Sequence, residues 1–568
     1  MEKMIIYQVL PRLFGNKNHT CKPGGTIEEN GCGKFNNFTP SVLKSLRESG
    51  YTHVWYTGVL RHATMTDYSA YGLPRQHPAV VKGRAGSPYA VVDYYDVDPD
   101  LAVSVERRME EFEKLVNRTH RAGLKMIIDF VPNHVARQYK SVCKPEGVRD
   151  LGEDDDPTKG FEPVHNNFYY CPGQAFTPYF DLYHGQPEPY TEFPARATGN
   201  DHFDNAPGRN DWYETVKLNY GVDYYAGGVG HFSPTPDTWQ KMLDILLFWA
   251  AKGIDGFRCD MAEMVPAAFW AWATPRVREQ FPHVIFIGEV YNPDLYRCYL
   301  QSGFDYLYDK VGMYDTMRDV ICHRRPSEAI TWAWQQTDDI RRQMLYFLEN
   351  HDEQRISSDL FAASGEKAVP ALVVLVLMQQ NPFMVYCGQE WGERGMDQEG
   401  FSGHDGRTTI FDYWSLSGED GGVRGEMLPS RQNIPPTSHP SPLTAIYSRV
   451  LNLARREKAV TEGRMFDVMY VNRQYQQQYA FLRKAGKELL LVVANFADEP
   501  VDIQVVLPDH AFGYMEIREK AYNAEVLLKT GNGMSTVTDG TEKLVLMRDQ
   551  AVSVGLPARG AVVYKMVV

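Results

Sequence analysis

Gly253-Ile254-Asp255-Gly256-Phe257-Arg258-Cys259-Asp260 is a short run that ends abruptly in an acid. It is too brief for a helix, and it reads as a buried parallel strand delivering a carboxylate at its carboxyl end. Two further segments repeat the pattern: Ile285-Phe286-Ile287-Gly288-Glu289 and, after residues 343–348, Glu349-Asn350-His351-Asp352. Asp260, Glu289 and Asp352 are therefore expected to converge on one site. Two carboxyl groups facing each other across a sugar are the minimum machinery for cleaving a glycosidic bond, and a third acid suits a site that stabilises developing positive charge.

Working outward, apolar runs fall at 5–9, 53–57, 125–130, 253–258, 284–288, 304–308, 343–348 and 383–387. Helical patterns at 103–122, 238–252, 265–280 and 367–379 separate several of them, so strand and helix alternate. Eight such units predict an α/β fold, a (β/α)8 barrel, with its chemistry at the carboxyl ends of the strands. The stretch 135–236, rich in Gly, Pro, Asn, Asp and Tyr, breaks the rhythm and reads as an irregular inserted domain lining the cleft. Beyond 458, segments at 466–471, 478–482, 489–495, 501–506, 544–547 and 560–566 alternate apolar and polar residues without intervening helices. They predict an antiparallel β-sandwich. The expected division is residues 1–134 and 237–458 for the barrel, 135–236 for the insertion and 459–568 for the sandwich.

The 568 residues exceed one ordinary core. A formal net charge of −13 offers no electrostatic footprint for nucleic acid or an anionic membrane surface. The longest apolar stretch, 368–378, is too short to span a bilayer and contains Pro370. No small-residue cleavage site follows the first apolar run, so the expected location is the cytoplasm, with export after signal removal as the alternative. The eight cysteines form no CxxC pair. Free thiols are expected, with Cys259, Cys298 and Cys387 in or beside core elements and Cys21–Cys32 the one loop pair that could close.

Four segments in series resemble the motifs of the α-amylase family, glycoside hydrolase family 13: Asp129-Phe-Val-Pro-Asn133-His134, Gly256-Phe-Arg258-Cys-Asp260, Gly288-Glu289-Val290 and Asn350-His351-Asp352. The resemblance extends to the first strand at 5–14, the loop Pro88-Tyr89 to Tyr94, and Tyr386-Cys-Gly-Gln-Glu390. It implies a retaining mechanism on α-glucans or malto-oligosaccharides. In that mechanism Asp260 is the nucleophile, and Glu289 is the acid and base that holds and releases a proton near neutral pH. Asp352 would hold sugar hydroxyls and favour the distorted ring. Arg258, two residues before Asp260 on the same strand face, would keep that carboxylate ionised and oriented. His134 and His351 would hydrogen-bond the sugar, and Tyr89 would stack under it. Transglycosylation on the same scaffold is the alternative, and a silent glucan-binding protein or a phosphate-binding barrel the remote ones.

Several residues have plainer readings. Glu263 reads as a helix-start acid, Asp154-Asp155-Asp156 as a solvated loop rather than a metal site, and Trp212, Tyr220 and Trp391 as cleft or packing. The chemistry requires no cofactor. A structural calcium, which the family often carries beside the asparagine of the first motif, stays open, but Lys217 stands where the resemblance places a ligating carboxylate, and an ammonium cannot ligate a cation.

Overall fold

The computed structural model describes residues 2–181, 188–395, 403–416, 442–531, 534–535 and 540–568. Eight parallel strands close a barrel: β1 (Ile5–Val9), β2 (His53–Tyr56), β3 (Lys125–Phe130), β4 (Gly256–Cys259), β5 (Ile285–Gly288), β6 (Tyr306–Tyr308), β7 (Met344–Phe347) and β8 (Phe383–Tyr386). Each predicted run supplies one strand, and β8 returns to β1 with Ile5 opposite Phe383. The period of two along each strand sorts the side chains. Ile6, Trp55, Ile127, Ile287, Tyr308, Leu345, Phe347 and Met384 fill the barrel interior. Their neighbours Tyr7, Val54, Ile128, Phe257, Phe286 and Val385 point outward into the larger core shared with the helices.

Among those helices, α1 (Arg108–Arg121), α2 (Asp237–Ala251) and α3 (Ala267–Gln280) follow the predicted patterns. The helix α4 (Val369–Met378) is buried at every residue. A helix that is apolar all round must be covered all round, and it packs against sandwich strands as well as against the helix Pro442–Arg456. No helix among the described residues is long and apolar enough to cross a membrane.

Between β3 and α2 the described residues make only short pairings, such as His134–Ala136 with Thr215–Lys217. Gly199 lies against this ladder. A Cβ there would come within 2.8 Å of the His134 side chain, so only glycine lets the loop close over it.

The C-terminal region is antiparallel: β9 (Arg464–Asp467), β10 (Gln478–Ala485), β11 (Glu488–Asn495), β12 (Val501–Leu507), β13 (Lys520–Gly531), β14 (Thr541–Leu546), β15 (Gln550–Leu556) and β16 (Gly560–Val567). One sheet runs β9-β10-β11-β16-β13 with β14 on β13, and β12 pairs with β15. The expected strand at 466–471 is cut short. Asp467 accepts from Met469 N, Trp334 Nε1, Thr331 Oγ1 and Tyr479 Oη, and the chain turns into a 3-10 segment at Met469–Val471. All eight cysteines are free thiols. Cys259 and Cys387 are buried as expected, whereas Cys298 is exposed on its helix.

Candidate active site

The ladder of the barrel itself carries two of the acids to one place. Asp260 N donates to Phe130 O at the end of β3, and Glu289 N donates to Cys259 O at the end of β4, so each carboxylate begins where its strand stops. Arg258, in register between Asp129 and Ile287, points into the barrel with its side chain 1% exposed. Its Nη1 lies 2.7 Å from Asp260 Oδ1 and 3.5 Å from Asp129 Oδ1, and its Nη2 lies 2.7 Å from Glu289 Oε2. Nε donates to Tyr308 Oη at 3.2 Å. The guanidinium therefore bridges both carboxyl groups rather than serving Asp260 alone.

Burial pushes the Asp260 carboxyl well above the usual carboxylate range, and Glu289 and Asp129 add to that push against the pull of Arg258. Burial raises Asp129 too. Arg258 orients Asp260 and pulls toward its ionised form, against the burial and the neighbouring acids that push the other way.

Asp352 is different. Its side chain is 41% exposed. Burial would raise it, but His351, Arg258 and Arg407 outweigh burial and bring it down to about 2. Asn350 Oδ1 accepts from Asp352 N at 2.9 Å and Glu353 N at 3.0 Å, which fixes the turn after β7. His351 Nε2 reaches Asp352 Oδ2 at 3.0 Å and Tyr89 Oη at 2.6 Å, while Nδ1 meets Gln8 Nε2 at 2.7 Å. Tyr89 stacks on His351 and its hydroxyl lies 3.5 Å from Asp129 Oδ1. His134 is buried, and burial, then Lys217 and Lys82, lower it to about 3, leaving it neutral near pH 7. Its ring lies against Trp212.

Asp260, Glu289, Asp352, Arg258, His351 and Tyr89 thus form one continuous cluster. His134 flanks it on the adjoining ladder.

Some plainer readings change. Tyr220 is packing, with its hydroxyl on Pro132 O and its ring on Phe269. Asp155 ties its own loop, accepting from Asn167 N, Phe168 N and Tyr170 Oη. Glu263 lies in the first turn of the 3-10 segment Ala262–Met264, as a helix-start acid would, but its side chain reaches further. Its Oε2 accepts from Tyr291 N at 3.1 Å and Asn292 N at 3.0 Å, across to the loop after β5. Tyr291 itself escaped sequence reading, although it stands two residues past Glu289 on the same face of an extended chain. Its hydroxyl donates to Glu289 Oε1.

The Lys217 ammonium lies 2.5 Å from Asn133 Oδ1, 2.7 Å from Asp201 Oδ1 and 3.3 Å from Met264 O. The lysine head group thus fills a nest of three oxygens beside the cluster, where burial lowers its pKa and Asp201 opposes that.

The chain is similar to known proteins along nearly its whole length. The family described as alpha amylase, catalytic domain, matches residues 8–432, and the alpha amylase C-terminal all-beta domain matches residues 470–567. Neopullulanase 2 of Thermoactinomyces vulgaris is 22% identical over 408 residues, covering 69% of this chain and 57% of that protein. Alpha-amylase MalA of Haloarcula japonica is 23% identical over 401 residues, 69% of this chain and 45% of its own length. The aligned stretch thus spans about half of each of these two relatives. The solved structure of a noncanonic maltogenic alpha-amylase AmyB from Thermotoga neapolitana superposes with a TM-score of 0.62 at 19% identity, covering 100% of this chain and 99% of that one. With both domain types matched in order over most of its length, the chain belongs to the α-amylase family.

Proposed function

We propose that the protein is a retaining glycosidase acting on α-glucosidic bonds in starch-like glucans or malto-oligosaccharides. The observation that carries this reading is the Arg258 fork, with Asp260 and Glu289 each 2.7 Å from one of its terminal nitrogens. One guanidinium joining both groups favours the short carboxyl separation, about 5 Å, of retaining enzymes over the wider gap, about 6.5–9.5 Å, that inverting enzymes need for water.

Arg258 holds Asp260 Oδ1, so Oδ2 is the oxygen left to attack the anomeric carbon. As the bond from Oδ2 to that carbon forms, the glycosidic bond breaks and Glu289 gives its proton to the departing oxygen. In the second step Glu289 takes a proton from water, the water oxygen bonds to the anomeric carbon, and the ester to Asp260 opens. The depressed carboxyl of Asp352 stays ionised throughout and favours the positively charged ring. His351, neutral His134 and Tyr89 would hold the sugar in place.

Defined malto-oligosaccharides separated by chain length and anomeric form test this. Shorter α-configured products support the hydrolase, longer products would make the protein a transferase, and no products would overturn the reading.

No calcium ion takes part in this scheme. The oxygens of Asn133, Asp201 and Met264 are of the type that binds a hard cation, but the Lys217 ammonium lies among them, so this set does not fit a metal. Activity and melting temperature are expected to be unchanged in EDTA. Lys217→Met, which leaves those oxygens without their cation, is expected to melt several degrees lower. A loss of activity in EDTA would contradict this.

A further inference from the structure

We propose that Tyr291 is a positioning residue for Glu289, holding the carboxyl group by Oε1 and favouring its ionised form each time the proton leaves. The inference rests on the assignment of Glu289 as acid and base, and deepens it.

The two oxygens of Glu289 are occupied differently. Oε2 accepts from Met261 N at 2.8 Å and lies 2.7 Å from Nη2 of the Arg258 cation, a donor and a positive charge that together oppose a proton on that oxygen. Oε1 must therefore carry the proton that moves. Its partner is the Tyr291 hydroxyl, which donates one hydrogen bond and leaves the second lone pair of Oε1 for the transferring proton. Hydrogen bonds to a carboxylate are stronger than those to a neutral acid. The contact therefore tightens as Glu289 loses its proton to the leaving oxygen and loosens as it takes one back from water.

The backbone around this contact is built to hold it. Met261, directly after the nucleophile, sits at φ +42°, a left-handed conformation uncommon for a non-glycine residue, and the turn directs its N–H to Oε2. Glu263, in the same turn, accepts from the amides of Tyr291 and Asn292 and so pins the base of the tyrosine. The turn after β4 thus grips both oxygens of Glu289, one directly and one through Tyr291. Burial, then Glu289 and Asp352, hold the proton on the Tyr291 phenol, so it faces Oε1 as a donor. The other charged or titratable groups facing Glu289 are Arg258 from β4, Asp260 after it and Tyr308 from β6, with Asp129 of β3 and Asp352 after β7 beyond them.

The test is Tyr291→Phe, which keeps the ring and removes the hydroxyl. Glu289 is titrated without turnover through the pH-dependent infrared band of its carboxyl group, identified by its absence in Glu289→Gln. Loss of one hydrogen bond to a charged group is expected to move that titration upward by about one pH unit. The alkaline limb of kcat/KM on maltotriose moves the same way, and plateau kcat falls about tenfold. Where Tyr291→Phe does not fold, Glu263→Ala, which frees the backbone of Tyr291, is expected to move the titration in the same direction by less.

An unmoved titration in the folded variant overturns the proposal, whatever the activity. A moved titration supports it even if the wild type leaves maltotriose intact, a result that would remove the glucan reading alone.

Discussion

Asp260→Asn is expected to lose about 10⁴-fold or more in kcat/KM on maltotriose, with no loss of melting temperature. The two halves of this result have one cause. Asp260 is 5% exposed, and burial holds its carboxyl well above the usual range, so the ionised group is costly to the folded state and valuable only to the reaction. An amide of the same shape still accepts from Arg258 and carries no charge to desolvate. Stability is therefore equal or higher in the variant, as expected where a site trades stability for activity. Glu289→Gln separates the roles. With α-glucosyl fluoride, whose leaving group needs little acid assistance, it should still form the ester on Asp260 but release it slowly for want of a base. Intact-mass measurement would then show the protein heavier by one anhydroglucose unit, located on the peptide containing Asp260. A label on any other residue, or full activity in Asp260→Asn, would displace Asp260 as nucleophile.

The strand-end acids were legible because a buried parallel strand concentrates its signal locally: a few apolar residues, then a polar residue where the barrel opens. All eight barrel strands and the converging carboxylates follow from that signal. Partnerships across the barrel were not legible. Tyr291 and Glu263 are 28 residues apart in sequence and meet only because β4 and β5 are neighbours. Arg258 looked like the partner of Asp260 alone because the contact to Glu289 is made across strands. In the sandwich, β13 and β15 gave no clear sequence signal. The Lys520–Gly531 strand is rich in Ala, Asn, Glu and Lys, which have weak strand preference, and carries an irregularity between Val526 and Leu528. Its pairing with β14 and β16 defines it.

Arg258→Met should produce the largest stability change in the barrel, about 3–5 kcal/mol at pH 7, because it removes one partner of a buried ionic cluster and leaves the others without compensation. Asp260 and Asp129 already stand above their ordinary range through burial with Arg258 in place, and without it both rise further. Carboxyl groups raised in the folded state bind more protons there than in the unfolded chain, so their contribution is complete at low pH and is lost as pH rises through the folded values. The variant's deficit is therefore largest near neutrality and shrinks on going from pH 7 to pH 5, as the carboxyl groups take up protons and no longer need a counter-charge. Melting temperatures of both proteins across that range read the effect directly. A deficit that does not change with pH would mean that Arg258 acts through packing among Trp55, Tyr89 and Tyr308, over whose rings its guanidinium lies. A deficit that closes on acidification would mean that the cation offsets the repulsion between acids that the reaction requires to lie close together.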